Sequence, residues 1–272
     1  MTIREEKPSS LPAFLEFVED IQSEVDSSLW FRGCGRASYK LQPSLYRHKD
    51  AKTPSQVAEL ERKLMARFRQ RSLPYHSRPL DKDWNTLFFM QHYGIPTRLL
   101  DWTENPLIAL HFALMGAVYK KNKTKGTITY TEDATVWVLN PATWNQRALE
   151  HQSYTGGALT PGDDPLTGYT PNTTSFADMN RFPVALYGEH NSPRIVAQQG
   201  VFTIFGQILS PMEKIYLDHN FPENSLIRIT IKKTSIENIR KSLLRHGITE
   251  SVVYPDLEGL AMEIKRSFGF QE

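Results

Sequence analysis

Cysteine is almost absent. The 272-residue chain has one, Cys34, which excludes an intrachain disulfide and any zinc site built on several cysteines. Long apolar runs are missing too, since no stretch approaches the roughly 20 residues of a membrane-crossing helix. The N-terminal segment Met1 to Lys7 is charged and no apolar run follows it, which argues against an ordinary secretory signal peptide. Together these absences predict a cytoplasmic protein with no membrane partner. Charge of one sign is scarce: 32 Lys and Arg against 30 Asp and Glu leave +2 at pH 7. That falls short of a domain that binds nucleic acid by bulk charge. The chain lacks a Walker A loop, a dinucleotide G-x-G-x-x-G, a G-x-S-x-G elbow and an H-E-x-x-H helix, so the reactions those motifs serve are not expected. The eight histidines show no ligand spacing, and no metal is expected.

What is present suffices for a core: 40% of the residues are hydrophobic and 11% aromatic. Apolar spacing predicts helices over Leu11–Val25, Ser55–Arg71, Trp84–Tyr93 and Leu107–Ala117. Gly94 and Pro96 stop the third of these, while Thr103 as N-cap and Pro106 in the first turn open the fourth. Strand composition marks Leu29–Gly33, Arg98–Thr103, Thr135–Leu139 and Leu226–Ile231. Arg194–Phe205 reads as a long strand with a glycine bulge. Closing helices are predicted at Ser235–Arg245 and Asp256–Arg266. From His151 to Pro193 the pattern dissolves into turn residues, which predicts a functional loop or a mobile lid. Strands and helices mix without strict βαβ alternation, so the expected class is α+β, with one domain spanning 1–272.

Two basic clusters stand out. Arg62, Lys63, Arg67, Arg69 and Arg71 share one helix, and Lys120, Lys121, Lys123 and Lys125 share one loop. They are either solvated faces or guides for a polyanionic substrate. Cys34 lies between Arg32 and Arg36, a setting that lowers a thiol pKa, although a lone cysteine is ordinarily a small packed residue.

Three further segments form an ordered set: Phe31-Arg32-Gly33, then Gln91-His92-Tyr93-Gly94-Ile95-Pro96-Thr97-Arg98-Leu99-Leu100-Asp101-Trp102-Thr103, then Ala197-Gln198-Gln199-Gly200-Val201-Phe202. This set resembles the FRG-domain family, named for its aromatic-Arg-Gly motif. Gly247-Ile248 and Tyr254-Pro255-Asp256-Leu257-Glu258-Gly259-Leu260 are similar to that family's tail. A weaker resemblance is to ADP-ribosyltransferases of the R-S-E kind. Arg32 would be the first element of that pattern. Thr103, with the helix bearing Ala109 and Phe112, would be the second. Gln198 and Gln199 stand where an acidic pair belongs.

The resemblance implies a core of two small, mainly antiparallel sheets flanked by helices, and NAD as the substrate. It implies catalytic roles for Arg32, Thr103, Gln198 and Gln199. Arg32 would hold the pyrophosphate with its planar fork of donors, and Gly33 would let NAD approach the backbone. Thr103 would hold the arginine or a ribose hydroxyl, and Tyr93 or Trp102 would stack on a base. Phe31, His92, Arg98 and Asp101 complete the implied binding set. Gln199 would face the ribose from a strand opposite Arg32, and Glu189 is a second source of the missing carboxylate. The implied acceptor is nucleic acid, RNA first, or a protein, in a bacterial toxin or phage-defence effector restrained by an antitoxin. A non-catalytic module that binds a nucleotide or nucleic acid is the other reading, the glutamine pair marking lost catalysis. These residues also have structural readings: Arg32 and Asp101 as a buried ion pair, the aromatic residues as core.

Overall fold

The structure is a computed structural model that describes residues 2–76, 80, 82–122, 127–171, 179–189 and 192–270. In chain order its elements are β1 (Arg4–Glu6), α1 (Leu11–Ser23), β2 (Trp30–Cys34), α2 (Pro54–Ser72), α3 (Asp83–His92), β3 (Leu99–Thr103), α4 (Pro106–Met115), β4 (Tyr119–Lys121), β5 (Ile128–Tyr130), β6 (Ala134–Leu139) and α5 (Pro141–Ala148). There follow β7 (Val184–Leu186), α6 (Pro193–Ala197), β8 (Gly200–Ile204), α7 (Met212–Asp218), β9 (Leu226–Ile231), α8 (Ile236–Arg245), α9 (Glu250–Val253) and α10 (Leu257–Ser267). The class is α+β.

Among the described residues the main sheet has seven strands in the order β1-β9-β6-β2-β3-β8-β7, and β4 and β5 form a separate pair. Among the described strands β1 pairs with β9 in parallel and the other strand pairs are antiparallel, with one further parallel bridge from Leu159 to Leu186 of β7. The ladder is uneven. β2 pairs with β6 over five residues and β3 with β8 over five, yet β2 and β3 meet through one pair, Phe31 with Thr103. The core is thus one seven-stranded sheet and not the two small sheets expected, with β1-β9-β6-β2 and β3-β8-β7 joined within it at a single rung.

Alternation along the strands sends side chains to two cores. Trp30, Trp137 and Leu139 face one core, which is covered by Val57 of α2, Leu87 and Phe88 of α3, Trp144 of α5 and Ile215 of α7. Phe31, Val136, Val138 and Ile229 face the other, under Phe14 of α1, Ala109 and Ala113 of α4 and Ile239 of α8. The sheet is thus the middle of three layers, each face burying its own apolar set against helices.

Three expectations are corrected. Arg194–Phe205 is not one strand. Ser192 caps a short helix by accepting from the Ile195 N–H, and Pro193 occupies its first turn. Gln199 then turns the chain in the left-handed region (φ 46°) before β8 begins at Gly200. That strand lies beside β3 and not opposite Arg32. The region 151–193, expected as a functional loop or a mobile lid, is in part built into the fold. It contributes β7 to the sheet, and Leu159, Leu166 and Tyr169 are fully buried, although 172–178 and 190–191 lie outside the described residues. The N-cap of α4 is Asn105, whose side chain accepts from Leu107 and Ile108 N–H, and not Thr103. Lys120 and Lys121 sit on β4, while Lys123 and Lys125 lie outside the described residues.

Candidate active site

Where β2 and β3 part beyond their single rung, the sheet opens into a cleft of about 680 Å³, within the ~300–1,000 Å³ range of small-molecule sites. Arg32 and Gly33 line one bank from β2; Asp101, Trp102 and Thr103 line the other from β3. The end of α3 contributes Gln91, His92, Tyr93 and Gly94, and the α6 region contributes Arg194, Ile195 and Gln198. Gly94 takes a left-handed φ of 72°, which ends α3 and turns the chain toward β3.

Arg32 bridges the gap. Its Nη1 donates to the main-chain oxygen of Asp101, a carbonyl left without a strand partner on that side, and lies 3.9 Å from the Asp101 carboxylate. The pair is not buried: the two side chains are 26% and 58% exposed. The Nε of Arg32 is shielded and has no hydrogen-bond partner among the described residues, and the Cys34 thiol interacts with the guanidinium, so an anion in the cleft would meet the exposed quarter of this side chain and not its Nε. Gln91 holds Asp101 from the other side, donating from Nε2 to Oδ2 at 2.8 Å and accepting from the Thr97 hydroxyl. Among the described residues, Asp101 is the one carboxylate lining the cleft.

A second arginine was missed in the sequence. Arg194 stands with its guanidinium 4.6 Å from the centre of the Tyr254 ring, a cation–π contact that fixes it at the cleft wall. Tyr254 packs edge-on against Phe112 of α4, which also lines the cleft. The tail motif Tyr254–Leu260 thus acts by clamping Arg194. His92 is half-buried, and burial together with the charge of Arg194 lowers its pKa below the usual histidine value, leaving it neutral at pH 7. Tyr93, 64% exposed, packs edge-on against His92 with ring centres 4.8 Å apart.

Other predicted residues hold the scaffold. Arg98, assigned to NAD, is 1% exposed and lies outside the cleft. It pairs with buried Glu61 of α2 at 2.8 Å and donates to the carbonyls of Phe205 and Tyr169 at 2.9 Å each. It therefore pins α2, the end of β8 and the 151–193 region together. Gly33 lines the cleft, but its missing side chain serves packing: a Cβ there would stand 1.9 Å from the Ala109 oxygen of α4. Thr103 lines the cleft with its hydroxyl proton already committed, donated to Gln198 O at 2.6 Å, while the same oxygen accepts from Asn105 N–H. Trp102 and Phe31 contribute edges to the cleft from the core, and Trp102 Nε1 donates to Thr203.

Of the glutamine pair, Gln198 lines the cleft, with Nε2 donating to Val253 O at 3.0 Å. Gln199 is exposed and stands outside the lining, and Glu189 likewise. Gln199 misses the cleft because the chain turns there instead of running on as a strand. Cys34 is buried, and burial raises its thiol pKa against the lowering effect of Arg32. It is a packed residue and not a thiolate nucleophile. Three of the five basic residues of α2 face carboxylates: Arg62 and Lys63 pair with Glu59 of the same helix, and Arg69 with Asp83 of α3.

Residues 27–123 match the FRG domain family. The match takes in β2, α3, β3 and α4, and so the cleft residues from Phe31 to Phe112; Arg194, Gln198 and Tyr254 lie beyond it. No curated protein and no solved structure matches the chain. Among the described residues, no helix is long and apolar enough to cross a membrane, and no group of three His, Cys, Asp or Glu side chains is placed to hold a metal ion.

Proposed function

We propose that the cleft binds NAD and transfers its ADP-ribose to an acceptor, with nucleic acid as the acceptor class. One observation carries this reading: a partly exposed arginine and, among the described residues, the one carboxylate of the cleft face the same gap in the sheet. Arg32 and Arg194 supply the positive charge that a diphosphate needs, and the fork of Arg32 suits two phosphate oxygens at once. Tyr93 offers an exposed ring for a base to stack on.

The reaction breaks the bond between ribose C1′ and the nicotinamide nitrogen, and the electron pair leaves with nicotinamide. Positive charge then develops on the ribose. Asp101, held by Gln91, stabilises that charge. This role moves from the glutamines to Asp101, because a neutral amide supplies no full charge and Gln199 lies outside the cleft. An acceptor heteroatom forms the new bond to C1′, and neutral His92 takes the proton that it loses. Gln198 and the committed hydroxyl of Thr103 shape the wall.

The test is nicotinamide release by the purified chain, compared with Arg32→Ala and Arg32→Lys. A lysine keeps the charge without the fork, so both variants are expected to lose at least tenfold in kcat/KM, about 1.4 kcal/mol, while melting like the wild type. Turnover in a folded Arg32→Lys variant equal to wild type would remove Arg32 from the phosphate site. The Thr103 contacts favour one alternative, a module that binds NAD without consuming it; binding with no nicotinamide release in the wild type would establish that reading instead.

A further inference from the structure

A second cavity, of about 830 Å³, adjoins the cleft and shares Tyr93 with it. We propose that it seats a base of single-stranded nucleic acid, so that the acceptor strand runs from this cavity toward the cleft; this rests on the transfer reading above. Its lining includes Phe68 and Arg71 from α2, Tyr75 and His76 beyond that helix, and Phe89 and Tyr93 from α3 and its end. The rings form a chain. His76 and Phe89 have centres 5.8 Å apart, Phe89 and Tyr93 5.1 Å, and Tyr93 and His92 4.8 Å, the last pair already inside the cleft.

Two of these rings stand in solvent, Tyr75 at 87% exposed and Tyr93 at 64%. An exposed cluster of large rings beside a polar cleft is a binding feature more than a packing one. The charge selects the occupant. Arg71 lines the cavity and is exposed, no carboxylate lines it among the described residues, and Arg67 lies one helical turn away on α2. The neighbouring basic residues of the same helix, by contrast, face Glu59 or Asp83. Aromatic faces beside an exposed arginine that pairs with no carboxylate among the described residues match the stacking platforms and phosphate contacts that hold single strands without reading sequence.

The experiment follows binding of fluorescein-labelled hexauridylate to the full chain by anisotropy, with nicotinamide release measured in parallel without nucleic acid. Tyr75→Ala removes one stacking face and is expected to weaken binding about 5- to 150-fold, from ~1–3 kcal/mol per stacked base. Arg71→Gln is expected to weaken binding and to lower the slope of log K against log salt by about 0.7. Both substitutions sit on exposed side chains outside the cleft lining, so nicotinamide release should be unchanged. Oligonucleotide affinity equal to wild type in both variants overturns the proposal. So does wild-type protein that releases nicotinamide but does not bind the oligonucleotide, or hexaglutamate competing as well as hexauridylate does. Oligonucleotide binding that depends on Tyr75, in a protein that leaves NAD intact, supports the subsite and sinks the transfer reading alone.

Discussion

Replacing Asp101 with asparagine separates charge from shape at the centre of the cleft. The amide can still accept from Gln91, so the β3 backbone and the cleft wall keep their geometry. The anion is lost. Opposite unit charges 4 Å apart interact by ~4 kcal/mol at the effective dielectric of a protein surface and by ~1 kcal/mol in bulk water. With its side chain 58% exposed, Asp101 falls between these limits. The transition state should therefore lose on the order of 1.4–3 kcal/mol, a fall of roughly 10- to 150-fold in kcat. KM for NAD should move by less than about threefold, because the ribose carries little of that charge before the bond breaks. Nicotinamide release at saturating NAD measures the first quantity and a titration of NAD the second. A folded Asp101→Asn protein with kcat within about threefold of wild type would refute the assignment. Gln199→Ala and Gln199→Glu form the matched control: both should leave the rate unchanged, since the residue is exposed and outside the cleft. A tenfold change in either would return the role to the glutamine.

Three further outcomes concern the scaffold. Arg98→Met strands the buried Glu61 carboxylate and should cost ~3–5 kcal/mol in urea unfolding, whereas Arg98→Met with Glu61→Leu should recover much of it; equal loss in both would show that Arg98 works through packing alone. Gly33→Ala drives a methyl into the Ala109 carbonyl and should cost ~3 kcal/mol or more, and a melting temperature unchanged from wild type would contradict the close approach of α4. His111 is buried on α4, and burial pushes its pKa down to about 4, with Glu250 raising and Arg266 lowering it. The unfolded chain binds this proton first, near pH 6.5, so stability falls as the pH drops from 6.5 toward 4. The loss is ~2.5 kcal/mol at pH 4.5. His111→Phe should remove that share of the acid sensitivity; unfolding free energies at pH 7.5 and 4.5 in the two proteins check it.

The segments legible in the sequence were those whose local signals agreed with their packing. Leu11–Ser23 carries Phe14, Val18 and Ile21 on its buried stripe, and Gly94 marks the end of α3 as expected. Arg32 and the Asp101–Thr103 run were found through motif order, and the structure brings them to one cleft. Arg98 was misread because a charged residue in a motif looks the same whether it meets a ligand or a buried glutamate. Its partners lie 37 and more residues away. Arg194 escaped notice because the β-branched Ile195 and Val196 gave its segment strand composition. The Ser192-Pro193 start signal was local and could have been read. The role of Gly33 was assigned to a ligand when α4, whose sequence gives no hint of where it docks, requires it.

Helix α4 changes the mechanics of the split sheet. It leaves the end of β3, tied there by the Asn105 cap and the Thr103 hydroxyl, yet it lies against β2 at Gly33. It is a brace across a seam that one ladder rung and the arm of Arg32 would hold only loosely. The seam is then held by side-chain packing, along α4 and in the core the two halves share, more than by hydrogen bonds between the strands. An anion that draws Arg32 away from the Asp101 carbonyl removes a tie without removing the brace. The two banks stay in place because Trp30 and Trp137 of one half share a buried core with Leu99, Leu100, Trp102 and Phe202 of the other.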